Sequence, residues 1–202
     1  MVRQDQLLKS LSGKNNHMNI FYLHEDPEIS AKMHCDKHVV KMIIEYAQML
    51  STAHRMLDGV MVKKPSKSGK TMVKHYDLFE GVDDLEAEMT YYKAVHYNHP
   101  CNVWIRESHE NYRYLYKLFY HLCEEYRHRY GRFHMTDNKL RSALWVFPKN
   151  IPRKPFTEPP QAMPDYCKKE DSLSAYRTYY IKEKKRFAKW TKRNVPKWFE
   201  VA

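Results

Sequence analysis

Apolar residues recur at helical spacing along two long stretches of this chain. In the first, Val39, Met42, Ile43, Tyr46, Met49, Leu50, Ala53 and Leu57 fall on one face, which predicts a single helix over about 30–57. Asp58-Gly59 supplies its stop, and Asp26 followed by Pro27 supplies an N-cap and a first turn. In the second, Trp104, Ser108, Asn111, Leu115, Leu118, Leu122 and Tyr126 line one side of a helix predicted over about 103–129, with Gly131 as its C-cap. A third helix is expected over about 172–193. The short apolar run "MNIFYL", opening at Met18, fits either a strand or a buried extended segment. Between these elements, "KKPSKSGKT" reads as a basic loop, "YDLFEGVDDLEAEMT" is acidic with no assignable element, and "YNHP" is a turn. Residues 147–164 hold six prolines and are expected to form an extended surface loop. The expected fold class is mainly α: one compact domain over 18–202 with little or no sheet, after a flexible extension over 1–17.

Composition narrows this picture. A chain of 202 residues can bury a real core, and 16 Tyr, 8 Phe and 4 Trp are more aromatics than a disordered chain carries. Only 5 glycines are present, and none sits in a phosphate-cradling loop. No apolar run reaches the roughly 18 residues of a membrane span, and the first residues lack the apolar core of a signal peptide. Cys35, Cys101, Cys123 and Cys167 form no CxxC pair, so free thiols in a reducing cytoplasm are expected, a host's cytoplasm if the chain is phage-encoded. The net charge of +11 favours a polyanionic partner, most simply nucleic acid.

Chemistry concentrates in "HCDKHVVKMIIE". On one helix, residues seven apart lie within about 20° of each other, so His38 and Glu45 share a face. His34 and Lys41 extend that stripe, and Asp36 points away. A carboxylate at the rim of an apolar face suits general acid/base work, and a desolvated lysine can be a nucleophile. The plain alternative is a solvated i, i+4 pair of Lys41 and Glu45. His34 and His38 also have zinc-binding spacing, with His24, His96 or His99 as a third ligand, although the glutamate of H-E-x-x-H is missing. His99 lies in the "NHP" turn, a favoured place for a site. Arg106 and Arg113 stand among aromatics, which can stack on bases while arginine pairs with phosphate; packing of those tyrosines in the core is the competing reading. The tail "KKRFAKWTKRNVPKWF" mixes Lys189, Lys192, Arg193 and Lys197 with aromatics, fitting either a nucleic-acid patch or an amphipathic segment docked on the core.

Three stretches in order, "DKHVVKMIIE", "NHPCNVWIRE…EEYRHRYGRF" and "NVPKWF", resemble the small helical pyrimidine-dimer DNA glycosylases with abasic-site lyase activity, the endonuclease V class of phages and bacteria. The resemblance covers roughly residues 18–134 plus the tail. It implies a base N-glycosylase acting on damaged or modified pyrimidines in double-stranded DNA. Glu45 falls on the family's catalytic glutamate, with Asp36 and His38 on its Asp and His. The family's nucleophile is an N-terminal amine; the segment that matches its N-terminus begins at Met18-Asn19, so the amine maps to Met18, or to Asn19 if Met18 is removed. Lys41 is the other amine at hand, and the family's arginines around the glutamate are absent here. His34, His99, Arg106, Arg113, Lys189, Lys192, Arg193 and Lys197 are the expected DNA contacts, in a monomer with no metal, no organic cofactor and no membrane. Two other readings stand beside it: a non-catalytic basic DNA- or RNA-binding protein, and a histidine-ligated metal hydrolase.

Overall fold

The computed structural model describes residues 18–78 and 85–201; the expected 1–17 extension and part of the acidic stretch lie outside the described residues. "MNIFYL" is the buried extended segment, with Ile20 and Leu23 fully enclosed. It leads into helix α1 (Pro27–Met33), capped as expected by the Asp26 carboxylate on the Glu28 and Ile29 N–H groups.

The expected continuous helix over 30–57 is broken. α1 ends at Met33, His34 and Cys35 are extended, and α2 (Asp36–Asp58) begins anew. Apolar periodicity runs through this joint, so the cause is tertiary. Arg129 donates to the Lys32 and His34 carbonyls, and Tyr180 accepts the Cys35 N–H. The Asp36 N–H goes to the Lys189 carbonyl at 2.8 Å. These partners satisfy backbone groups that a continuous helix would have bonded internally.

The basic loop after α2 is the turn of a hairpin, so a small sheet is present: β1 (Val60–Pro65) pairs antiparallel with β2 (Met72–Asp77). Gly59 joins α2 to β1. A Cβ there would lie 2.5 Å from the Arg55 carbonyl oxygen and 2.9 Å from that of Asp77. Backbone cannot give way as a side-chain tip can, so Gly59→Ala is expected to cost about 1–3 kcal/mol by denaturant unfolding. A change below about 0.5 kcal/mol would show the hairpin base to be loose.

Next come α3 (Leu85–Thr90), α4 (Pro100–Glu107) and α5 (His109–Tyr130). The expected helix over 103–129 is thus two. Ser108 breaks it, with its hydroxyl accepting the Glu110 N–H and donating to the Lys154 and Pro155 carbonyls. Gly131 caps α5 in the left-handed region at φ 67°, as expected. α6 (Met135–Trp145) has no counterpart among the elements expected from sequence. The proline-rich segment has no regular structure but works as a strap: Asn111 and Trp104 both bond Thr157. α7 (Ser172–Lys184) stops well short of residue 193. The chain then turns through Trp190, which donates its indole N–H to the Met33 carbonyl, into the short α8 (Lys197–Glu200).

α2 is the central element, packed against α4, α5 and α6, while α1 lies on α5. One core cluster joins the extended segment, α2, α4, α5 and α7. The molecule is mainly helical, with eight α-helices among the described residues. None of the helices is long and apolar enough to cross a membrane.

Candidate active site

Glu45 sits midway along α2. Its Oε1 is 2.9 Å from the Lys41 ammonium one turn earlier, and its side chain is 13 % exposed against 38 % for Lys41. Oε2 is shielded from solvent and has no hydrogen-bond partner. Burial pushes this carboxyl above the usual carboxylate range, although Lys41, His96 and Lys184 all pull it down. The expected i, i+4 pair is thus present, solvated at Lys41 and largely enclosed at Glu45. Glu45 is a mostly enclosed carboxyl with an idle oxygen, and such oxygens are uncommon in folded proteins.

Lys184, at the end of α7, lies near enough for its charge to act on the Glu45 carboxyl. Its amine reaches the Tyr179 hydroxyl at 3.2 Å and lies 4.3 Å from the centre of the Tyr179 ring. It makes no ion pair among the described residues. Burial, then the neighbouring cations Lys41 and Arg186, lower its pKa from the ordinary lysine value, against an opposing pull from Glu183. His96 stands in the turn before α4 with φ 46°, a strained value for a non-glycine residue. Sequence reasoning places Lys184 only at the start of the basic tail, with no chemical role, and weighs His96 only as a metal ligand. The "YNHP" turn is the one available hint.

The histidines named from sequence are buried. His34 donates from Nδ1 to the Ser30 carbonyl at 2.7 Å and accepts from the Tyr46 hydroxyl at Nε2. Burial brings its pKa down to about 4, so it is neutral and holds the joint between α1 and α2. His38 stacks on Phe21 at 4.3 Å and meets the Tyr180 hydroxyl through Nδ1 at 2.6 Å. The same Tyr180 hydroxyl accepts the Cys35 N–H, so it ties His38 to the start of α2. Burial, then His34 and the nearby lysines, keep His38 neutral. Since His34 lies outside α2, the expected four-residue stripe on one helix is reduced to His38, Lys41 and Glu45. The two histidines bond other partners, and among the described residues no three His, Cys, Asp or Glu side chains come together to hold a metal ion.

Asn19 is buried in the extended segment, with the amide Nδ2 unpartnered. Its neighbour Met18 meets the Cys101 thiol and the Asn102 amide. The Glu45 charge acts on the Cys101 thiol, whose pKa burial raises. The four cysteines are buried and unpaired.

The other named residues divide. His99 caps α4 by accepting the Cys101 N–H. Arg106 donates to the Tyr97 carbonyl at 2.8 Å, yet its buried Nη1 has no partner. Arg113 pairs with Glu110 and covers Phe147. In the tail, Arg193 is held by the Glu125 carboxylate and Lys192 by the His128 carbonyl, whereas Lys189 and Lys197 are exposed. Trp190 and Trp198 pack inward. The docked-tail reading thus describes the aromatics, and the exposed lysines remain for an anion. Comparison with protein-family models, with curated proteins and with solved structures finds no match to this chain.

Proposed function

We propose that this protein is a DNA base N-glycosylase that uses Glu45 as its acid/base and an amine as its nucleophile. The observation that carries the reading is the idle, enclosed Oε2 of Glu45 beside two amines of different character. Lys41 is committed to Glu45 as a cation. Lys184 lies over the Tyr179 ring, and burial lowers its pKa from the ordinary lysine value, which enlarges the neutral fraction able to attack carbon. Lys184 takes the role that the resemblance gives to an N-terminal amine.

In this scheme the neutral Lys184 amine bonds to C1′ as the bond from C1′ to the base breaks. The departing base takes the Glu45 proton. The resulting carboxylate removes a proton from the new C–N centre and delivers it to the ring oxygen. The sugar ring then opens to an iminium. The net charge of +11 supports a DNA partner.

Borohydride trapping on abasic-site and UV-dimer duplexes tests the reading. A covalent adduct mapping to Lys184 is expected, at least 10-fold reduced in both Lys184→Ala and Lys184→Arg. Arg keeps the charge and lacks the nucleophile, so the pair separates chemistry from electrostatics. No adduct and no base release from the unaltered chain would overturn the reading.

A further inference from the structure

We propose that the β1–β2 hairpin is a duplex-binding wing whose Lys63–Lys74 face sits on the DNA backbone at a distance from the Glu45 site, on the same duplex. The proposal rests on the DNA reading above and adds the surface that grips the duplex.

The hairpin holds five lysines, Lys63, Lys64, Lys67, Lys70 and Lys74, against one acid, Asp77. All five are exposed. The register separates its two faces. Met61↔Tyr76, Lys63↔Lys74 and Pro65↔Met72 share one side, and Val60↔Asp77, Val62↔His75 and Lys64↔Val73 share the other. On the second face Lys64 is neutralised by Asp77 at 2.5 Å. On the first, Lys63 and Lys74 stand directly opposite with no acid among the described residues bonded to either. Side chains so paired have Cβ atoms about 5 Å apart, and like charges there are destabilising. An anion bridging both removes that cost, and a phosphate does so. Met61 and Met72, 46 % and 59 % exposed, flank the pair with apolar surface that water covers poorly.

The same face continues toward the site. The Tyr76 ring meets that of Tyr97 at 5.4 Å, and Arg106 donates to the Tyr97 carbonyl while its Nη1 remains unbonded. His96 precedes Tyr97 and acts on Glu45. The wing is also firmly mounted: the buried Arg55 guanidinium of α2 holds the Tyr76 carbonyl at 2.9 Å. Glu45 and Asp58 are thirteen residues apart on that helix, about 20 Å at 1.5 Å per residue, or roughly six base pairs. A two-stranded ribbon is a width that the DNA major groove admits.

The test is anisotropy of a labelled 30-base-pair duplex titrated with full-length Glu45→Gln protein, over a series of salt concentrations. Lys63→Gln/Lys74→Gln in that background is expected to weaken binding about 10-fold. It should also shallow the slope of log K against log salt by about 2, because two phosphates are no longer neutralised. Lys154→Gln/Lys169→Gln, which removes the same charge elsewhere, is expected to change affinity less than 2-fold. Equal losses in both pairs, or an unchanged slope in the first, would overturn the wing. Binding is read without catalysis, so failure to release a base leaves this result standing. Absence of any duplex binding would overturn both proposals.

Discussion

Arg55→Ala is expected to destabilise the fold by about 3–5 kcal/mol in denaturant unfolding. The Arg55 side chain is fully buried. It donates to the carbonyls of Tyr76, Glu88, Tyr91 and Tyr92 and to the Glu88 carboxylate at 2.6 Å. These acceptors belong to β2, to α3 and to the segment after α3, so one side chain ties all three to α2. Truncation leaves the four carbonyls without these donors and leaves the Glu88 carboxylate only Lys93 and the Leu78 N–H. Arg55→Lys is expected to recover less than half, because an ammonium cannot span a planar fork of acceptors. The interaction also has a pH signature. Burial pushes the Glu88 carboxyl up, but Arg55, Lys93 and the Leu78 N–H together hold it down at about 2. A depressed carboxyl binds protons less in the folded than in the unfolded chain, so its stabilisation is complete above the unfolded value of about 4.3 and is lost as pH falls toward 2. The wild type should lose stability across that window, and Arg55→Ala should lose less. A cost under about 1 kcal/mol for Arg55→Ala would contradict the anchoring role.

Glu45→Gln is expected to lower base release by about 10²- to 10⁴-fold, the usual worth of a positioned proton donor. Glutamine keeps the shape and still offers an oxygen to Lys41, so a loss of activity reports the proton and not the packing. Stability should move the other way. Burial raises the Glu45 pKa, so the folded chain holds this proton more tightly than the unfolded one. Ionisation above about pH 4.3 therefore works against folding until the folded value is passed. Glu45→Gln should be at least as stable as wild type at pH 8, with the difference closing near pH 4. An activity change below about 3-fold would remove Glu45 from the chemistry, whatever the stability data say.

Local signals in the sequence are reliable where local physics decides the outcome. The Asp26 cap, the Gly131 stop, the buried "MNIFYL" segment and the inward face of α2 after Val39 all follow from spacing and capping chemistry. The joint at His34–Cys35 is hidden because its helical pattern is overruled by Arg129, Tyr180 and Lys189, whose proximity no pattern encodes. Ser108 fits the face of a continuous helix, while its hydroxyl serves the strap and the next helix. α6 escapes the apolar pattern because only a few of its residues are buried, among them Leu140 and Leu144, while the apolar Met135 and Trp145 face outward and blur the period. The hairpin is masked by lysines at positions where a strand pattern calls for apolar residues. At the site, the Lys41–Glu45 spacing is legible, but the burial that separates their behaviour is not. The role of Lys184 is invisible for the same reason as the joint: it arrives through the fold.

The joint between α1 and α2 also sets an order on the protein's synthesis. α2 has no side-chain N-cap bond of its own. Its first turn is closed by the Tyr180 hydroxyl, the Lys189 carbonyl and Thr191, which bonds Asp36 through both its N–H and its hydroxyl. Contacts of such sequence separation form late and slow folding, since a long loop must close before they stabilise anything. A nascent chain therefore carries the Glu45 helix with an unfinished end until residues 180–191 have emerged and docked. Lys184 is delivered by the same closing event, so the proposed chemistry waits on it.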